Sequence, residues 1–433
     1  MKNAIIAQSG GPTTVINNSI RGAIDVLNSS KKINKILGAK MGILGVLNEE
    51  LLDISSQDLK QVALLEKTPS AGLIGSCRYK MKAKEDHERV IEVFQKHDIG
   101  YFLYCGGGDS MDTANKISIL AKENGLEIKC IGIPKTIDND VGGKLQEDGT
   151  FSICDHDPGY GSVARNTAIN VLEANQENMA SYTSDPVLII GVMGRKIGFI
   201  PASARLADRK REMPLLVILP ETFIINDGTE NLDYITSKIN EILKEQKRCI
   251  VIIGEGVNLG MFGERKDSFG HSQFSSSKDT VEQILTNYLN GVDRNDGKTR
   301  LVVKGSARSE RPGTRQRREI AYASGIDLEE AYMVGKFAAD MALAGESGYM
   351  ATIIRIPGKD YKVKFEKVLL DVVANSDREF PKEWITGNRI DITDKYINWA
   401  LPLIGEELPL FSRFEPIFAE KKCKPFIPFS YRV

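Results

Sequence analysis

Residues 101–125 read YFLYCGGGDSMDTANKISILAKENG. An apolar, aromatic run of strand length ends in Gly106-Gly107-Gly108. Asp109 or Ser110 can then cap a helix that carries Ala114, Ile117, Leu120 and Ala121 at helical spacing and stops at Gly125. Strand, glycine turn and helix in that order form the repeating unit of a parallel sheet covered by helices. The same unit recurs on both sides. Upstream, AIIA (4–7) runs into SGGP, and Val15, Ile16, Ile20, Ala23, Ile24 and Leu27 predict a helix over 14–28. Downstream, IKCIGI (128–133), PVLIIGV (186–192), PLLVIL (214–219), CIVIIG (249–254) and YMATIIRI (349–356) predict further strands. Helices are expected near 230–246 and over 327–345. This many strands implies two sheets, hence an α/β protein of two Rossmann-like, three-layer αβα domains with mostly parallel sheets and a cleft between them. The polar, Ser-rich stretch 261–279 is expected to be a surface loop.

Composition bounds the function. The chain has 433 residues, 42% hydrophobic and 27% charged, so a core is affordable and a mainly disordered chain is excluded. Lys+Arg 57 against Asp+Glu 58 gives −1, so no basic field favours nucleic acid or an anionic membrane. No apolar run reaches about 18 residues, the length of a membrane-spanning helix. The apolar stretch at the start is too short for a signal peptide. The six cysteines are scattered without CxxC pairs, as expected of reduced thiols in a cytoplasmic protein. The four histidines lack zinc-ligand spacing.

Glycines cluster after the apolar runs, where backbone N–H groups and helix N-termini favour anions. Four such turns stand out: Ser9-Gly10-Gly11-Pro12, Gly106 to Ser110, Pro134 to Asp140, and Met193-Gly194-Arg195. Any one alone is ordinary strand-to-helix geometry. Together, with Asp, Lys and Arg at their tips, they point to a polyphosphate site. No GxxxxGK[ST] motif is present, which excludes a P-loop. The run Gly254-Glu-Gly256-Val-Asn-Leu-Gly260 has one residue too many for a dinucleotide fingerprint, so a nicotinamide dehydrogenase is a weak reading. IPKTIDND (133–140) carries the most information. Asp138 and Asp140 follow a strand directly, with Lys135 and Thr136 beside them, and a carboxylate so placed can take a proton from an attacking hydroxyl.

The GGxDS turn, PKTIDND, MGR, Pro220-Glu221 and the PGTxQR segment, in this order over nearly the whole chain, resemble the phosphofructokinase superfamily. QSGGPTTVIN and GLIGSCRYK (72–80) resemble its pyrophosphate-using branch. The resemblance implies Mg²⁺-dependent, reversible phosphoryl transfer from pyrophosphate to the 1-hydroxyl of a ketose phosphate, fructose 6-phosphate in glycolysis, by a cytoplasmic homodimer or homotetramer. It implies a donor domain at 1–149 plus 316–372 and a sugar-phosphate domain at 150–315 plus 373–433. Gly10, Gly11, Arg78, Gly107, Asp109, Ser110 and Lys135 are then donor residues, with Asp109 near the metal. Asp109 and Lys135 replace the glycines of ATP-using relatives, and they leave room for two linked phosphates but no nucleoside. Asp138 matches the catalytic base, flanked by Lys135, Thr136 and Asp140. Met193, Gly194 and Arg195 match the acceptor loop, Glu221 the carboxylate for sugar hydroxyls, and Arg308, Thr314 and Arg317 the grip on the 6-phosphate.

One departure, Gly108 in the GGxDS turn, leaves metal coordination from that turn to Asp109 alone; the others cluster on the acceptor side: Asp157, Pro186 for an arginine, Gly191 for a glutamate, and an unusually basic 304–318 segment. They leave sedoheptulose 7-phosphate as a competing acceptor. A non-catalytic regulatory homologue that binds sugar phosphate is a further alternative, against which the intact TIDND argues. The Pro- and Phe-rich tail from 401 is expected to pack on the body or on a neighbouring subunit.

Overall fold

The structure is a computed structural model, and it describes residues 1–223, 228–260, 280–294, 296, 298–374, 376 and 378–426. Eleven strands are present among these residues: β1 (Lys2–Gln8), β2 (Ile33–Ala39), β3 (Leu51–Asp53), β4 (Ile99–Gly106), β5 (Lys129–Pro134), β6 (Val187–Val192), β7 (Leu215–Ile218), β8 (Cys249–Gly254), β9 (Ala307–Glu310), β10 (Tyr349–Arg355) and β11 (Val363–Leu369). They form two sheets, β11-β10-β5-β4-β1-β2-β3 and β7-β8-β6-β9. The second sheet is parallel throughout. The first is parallel except at its two edges, where β3 and β11 run antiparallel to their neighbours.

Residue alternation explains the layers. On β1 and β4, Ile5, Ala7, Phe102 and Tyr104 enter one core while Ala4, Ile6, Leu103 and Cys105 enter another. On β6 and β8, Val187, Ile189, Val251 and Ile253 face one way, and Ile190, Val192, Ile250 and Ile252 the other. Both faces of each sheet are therefore buried, which is why these strands are continuous apolar runs. Register then sets the site. Gln8 pairs with Cys105, and Cys105 with Ile133, so the turns after β1, β4 and β5 emerge side by side. Val192 pairs with Gly254, Ile253 with Ile218 and Ile190 with Glu310, so the ends of β6, β8, β7 and β9 converge likewise.

Two helices far apart in sequence lock the first half together. A Cβ on Gly22, in the helix Ile16–Asn28, would stand 2.0 Å from the Tyr332 carbonyl oxygen. One on Gly335, in the helix Gly325–Leu343, would stand 1.9 Å from that of Ser19. Only glycine permits this backbone approach. It brings the segment just before Gly325, with Gln316 and Arg317, up to the first sheet.

The strands and helices expected from apolar runs occur, with ends shifted by one or two residues. The elements not anticipated include the helix Lys84–Lys96 and the strands β2 and β11, and also two without a clean pattern. β9 (ARSE) is short and polar, and the helix Tyr160–Ser181 buries Asn166, Thr167, Asn175 and Asn178 among its apolar residues. The expected surface loop at 261–279 lies outside the described residues. The start of the tail packs on the body as expected, with Leu403 and Ile404 buried in a core, but the described residues from 409 on are exposed. Leu410, Phe414, Ile417 and Phe418 are 85% or more exposed, and Arg413 tethers the segment through Glu212 at 2.6 Å.

Candidate active site

The cleft is built from strand ends of both sheets. On the first, Gly10 has φ +80°, and a Cβ there would lie 3.2 Å from the Lys135 ammonium. A Cβ on Gly11 would lie 2.6 Å from Nη1 of Arg317 and 3.7 Å from Nη2 of Arg78. Three cations thus lie over two adjacent glycines, whose bare backbone leaves room for them. Ser110 Oγ donates to Ser9 Oγ at 2.9 Å and ties the first two turns together. Gly107 precedes the helix Gly108–Glu123, whose N-terminal N–H groups and dipole favour an anion. Gly108 has open space around it, so packing does not demand glycine there. Asp109 lies in the first turn of that helix, and its Oδ1 is 3.1 Å from Lys80 Nζ. Lys135 is buried, and that burial pulls its ammonium down to about 8 against the opposing pull of Cys105, Asp140 and Asp138.

The loop after β5 is held from below. The Asp138 N–H donates to Thr136 Oγ1 at 3.1 Å. Asn139 takes a left-handed φ of 59°, and its Oδ1 accepts from the Asp157 N–H at 2.9 Å. Asp157 in turn accepts from the Val141 N–H at 3.0 Å. Asp157 is wholly buried, so it serves the loop under Asp138 rather than facing the acceptor cleft. Arg378 donates to the carbonyl oxygens of Val141, Cys154 and Asp155 and closes the floor. Asp138 itself is pushed up to about 7, first by burial and then by the Asp140 charge, with Arg195 opposing. Its Oδ2 lies 3.7 Å from Arg195 Nε.

On the second sheet, the loop after β6 is pinned at its backbone. The Met193 N–H donates to Gln316 Oε1 and the Arg195 N–H to Glu255 Oε1, each at 3.0 Å. These bonds hold Gly194 at φ 126° and Arg195 at φ 53°, a conformation that a non-glycine residue adopts only under restraint. After β7, Glu221 Oε1 accepts from the Gly198 N–H at 2.7 Å, while Oε2 is buried without a partner among the described residues. Burial raises this carboxyl to about 7. An orphaned carboxylate oxygen at a cleft is suited to a hydroxyl donor from a ligand.

Most residues expected from the sequence therefore converge. Arg317 does so in an unexpected place, against Gly11 and Arg78 on the donor side. Its guanidinium is pulled down by burial and by Arg78, and its Nε has no partner among the described residues. Arg308 and Thr314 are not brought in. Thr314 is exposed, and Arg308 lies on the edge strand β9 with its Nε 2.8 Å from Asp185. The residues that were missed are Glu255 and Gln316, which hold backbone. Glu255 sits inside the glycine run that resembled a broken dinucleotide fingerprint. Its carboxyl is raised by burial and restrained by the Arg195 N–H, Arg311 and Arg195.

The fold and the site define a doubly wound α/β protein with a cleft for a polyanion and a hydroxyl-bearing partner. Residues 3–317 match the phosphofructokinase family, and the chain belongs to that family. It is 36% identical over 420 residues to the pyrophosphate–fructose 6-phosphate 1-phosphotransferase of Xanthomonas campestris pv. campestris, covering 94% of this chain and 93% of that one. It is 34% identical over 426 residues to the protein of the same name from Methylococcus capsulatus, covering 95% and 94%. A crystal structure of pyrophosphate-dependent phosphofructokinase from Nitrosospira multiformis superposes with a TM-score of 0.79 at 34% identity, over 98% of this chain and 100% of that one.

Proposed function

We propose that the protein is a pyrophosphate-dependent 6-phosphofructokinase: it transfers a phosphoryl group from pyrophosphate to the 1-hydroxyl of fructose 6-phosphate, giving fructose 1,6-bisphosphate and phosphate. One observation carries the chemistry. Asp138 stands at the junction of the two sheets, beside Arg195, with its carboxyl raised to about 7. A general base works best when its pKa lies near the operating pH, and burial has moved this one there. Asp138 accepts the proton of the 1-hydroxyl as that oxygen attacks the nearer phosphorus of pyrophosphate. Lys135, Arg78, Arg317 and the helix N-terminus at Gly107 hold the donor and take up charge on its oxygens. Arg195 and the free oxygen of Glu221 hold the acceptor.

Mg²⁺ fits the residues present. It keeps water and phosphate oxygens and needs only one or two carboxylates. Asp109, partly exposed at the tip of its turn, would hold it together with donor oxygens. The ion neutralises charge on pyrophosphate when bound. The division into a donor domain (1–149 plus 316–372) and a sugar-phosphate domain (150–315 plus 373–433) belongs to the same reading. So does a homodimer or homotetramer, which the exposed apolar arm at Leu410–Phe418 supports.

The test is a matrix of donors against acceptors with Mg²⁺. Pyrophosphate with fructose 6-phosphate is expected to turn over, and ATP to be far poorer. Brisk turnover with ATP and none with pyrophosphate would overturn the proposal.

A further inference from the structure

Gly191 lies one residue before the end of β6, and its φ is not in the left-handed region, so the backbone does not require glycine there. Space requires it. A Cβ on residue 191 would stand 2.3 Å from Oε2 of Glu282 and 2.6 Å from its Cδ. Glu282 reaches this place from the first turn of the helix Val281–Leu289, where the dipole favours a carboxylate, and its side chain is only 6% exposed.

A carboxylate so deeply buried needs partners. Thr280 Oγ1 donates to Oε1, and Arg311 Nη2 donates to Oε2 at 2.7 Å. Arg311 follows the last residue of β9, next to the end of β6 through the pairing of Ile190 with Glu310. Its charge also acts on Glu255, the carboxylate that accepts the Arg195 N–H. The Glu255 N–H in turn donates to the Val192 carbonyl oxygen at 2.9 Å, one residue beyond Gly191, so Glu282, Arg311 and Glu255 gather at the strand end that leads into the loop carrying Arg195 to Asp138.

We infer that Glu282 is a positioning residue of the acceptor site: its carboxylate occupies the space beside Gly191, anchors Arg311 where β9 meets β6, and so braces the strand end from which the Arg195 loop leaves. The inference rests on the function proposed above. It makes glycine at 191 and glutamate at 282 a reciprocal pair. A carboxylate delivered from β6 can replace one delivered from the helix, but the two cannot coexist.

The test uses the full-length protein with pyrophosphate and fructose 6-phosphate. Glu282→Ala is expected to lower kcat/KM for fructose 6-phosphate by about tenfold or more while the KM for pyrophosphate stays within about twofold, a split that a general loss of structure does not produce. Gly191→Asp alone is expected to lose stability through the collision. The double variant Gly191→Asp/Glu282→Ala, in which the shorter Asp side chain brings an oxygen to the same place, is expected to recover most of the acceptor kinetics. Unchanged acceptor kinetics in Glu282→Ala overturn the inference, and so does a loss that the double variant leaves unrestored. If Glu282→Ala fails to fold, Glu282→Gln, which keeps the shape and removes the charge, carries the same expectation and the same refutation. Inactivity of the wild type on this substrate pair overturns the function and the inference together. An active wild type with an unaltered Glu282→Ala overturns the inference alone.

Discussion

The two sides of the cleft solve opposite problems. The ends of β1, β4 and β5 present bare glycines with cations above them: Lys135 over Gly10, and Arg78 and Arg317 over Gly11. The ends of β6, β7 and β8 present buried carboxylates, Glu221 and Glu255, each holding a backbone N–H. A compact polyanion is recognised by point charges and backbone donors, and its size is set by how closely the backbone can approach. A polyol is recognised by acceptors with a free lone pair, and its orientation is set by loops that cannot move. Asp138, the proposed base, stands where the two kinds of wall meet. The side chains on the donor side can therefore be charged and simple, while those on the acceptor side must be individually braced.

The largest effect is expected at the junction. Asp138→Asn keeps the shape and the hydrogen bond from its own N–H to Thr136, but it removes the base. Turnover is expected to fall by a factor on the order of 10² or more with little change in folding. The wild-type pH profile checks the same group. Because burial raises the Asp138 carboxyl from 3.8 to about 7, the ionised form required for proton acceptance is lost as pH falls through that value. The rate is expected to drop about tenfold per pH unit below the limb, as for a single essential base. Asp138→Asn should have a slow rate without that limb. Near-wild-type turnover in the variant breaks the contrast between the two walls, since the base would then lie elsewhere.

The donor wall is tested next. Lys135→Gly removes a buried ammonium that sits against Gly10. A hydrogen bond to a charged group contributes about 1.5–3 kcal/mol, so the KM for pyrophosphate is expected to rise about 10- to 100-fold. The KM for fructose 6-phosphate should move much less, because Arg195 and Glu221, the residues proposed to hold the acceptor, lie on the other wall. Equal shifts in both constants would mean that the two walls are not separate recognition surfaces.

The donor wall was also the easier one to see in the sequence. Its turns follow long apolar strands, and glycine next to an apolar run is a local signal. IPKTIDND carries base, cation and turn within eight consecutive residues, so no long-range contact had to be inferred. The acceptor wall depends on contacts between distant residues: Met193 with Gln316, Arg195 with Glu255, Arg311 with Glu282. Nothing local marks Glu282 as buried, since a glutamate in the first turn of a helix is ordinarily a solvated helix-dipole partner. The same limitation explains Arg317. Its segment was identified by motif, but its place against Gly11 is set by the close packing of Gly22 and Gly335, 313 residues apart, which brings the late helix onto the first sheet. Residue type indicated the chemistry, and packing decided the side of the cleft.

The smallest effect is expected at Arg308, where sequence and structure differ most. The motif spacing assigned it to the 6-phosphate, yet its side chain is 68% exposed on an edge strand and its Nε is engaged by Asp185 at 2.8 Å. Within a single chain it contributes nothing to the cleft, and exposed ion pairs of this kind contribute little to stability. Arg308→Ala is therefore expected to leave the KM for fructose 6-phosphate within about twofold of wild type, whereas Arg317→Ala, which removes a half-buried guanidinium from the cleft, should cost about tenfold or more in kcat/KM. A large rise in the acceptor KM for Arg308→Ala would contradict the single-chain reading in an informative way. An exposed arginine on an edge strand can affect a sugar-phosphate site only if that site belongs to a second copy. Mixing inactive Asp138→Asn subunits with Arg308→Ala subunits would then restore activity, because one mixed site would carry an intact base from the Arg308→Ala chain and an intact Arg308 from the Asp138→Asn chain. Failure to complement would place the effect of Arg308 within its own chain, transmitted through its ion pair with Asp185.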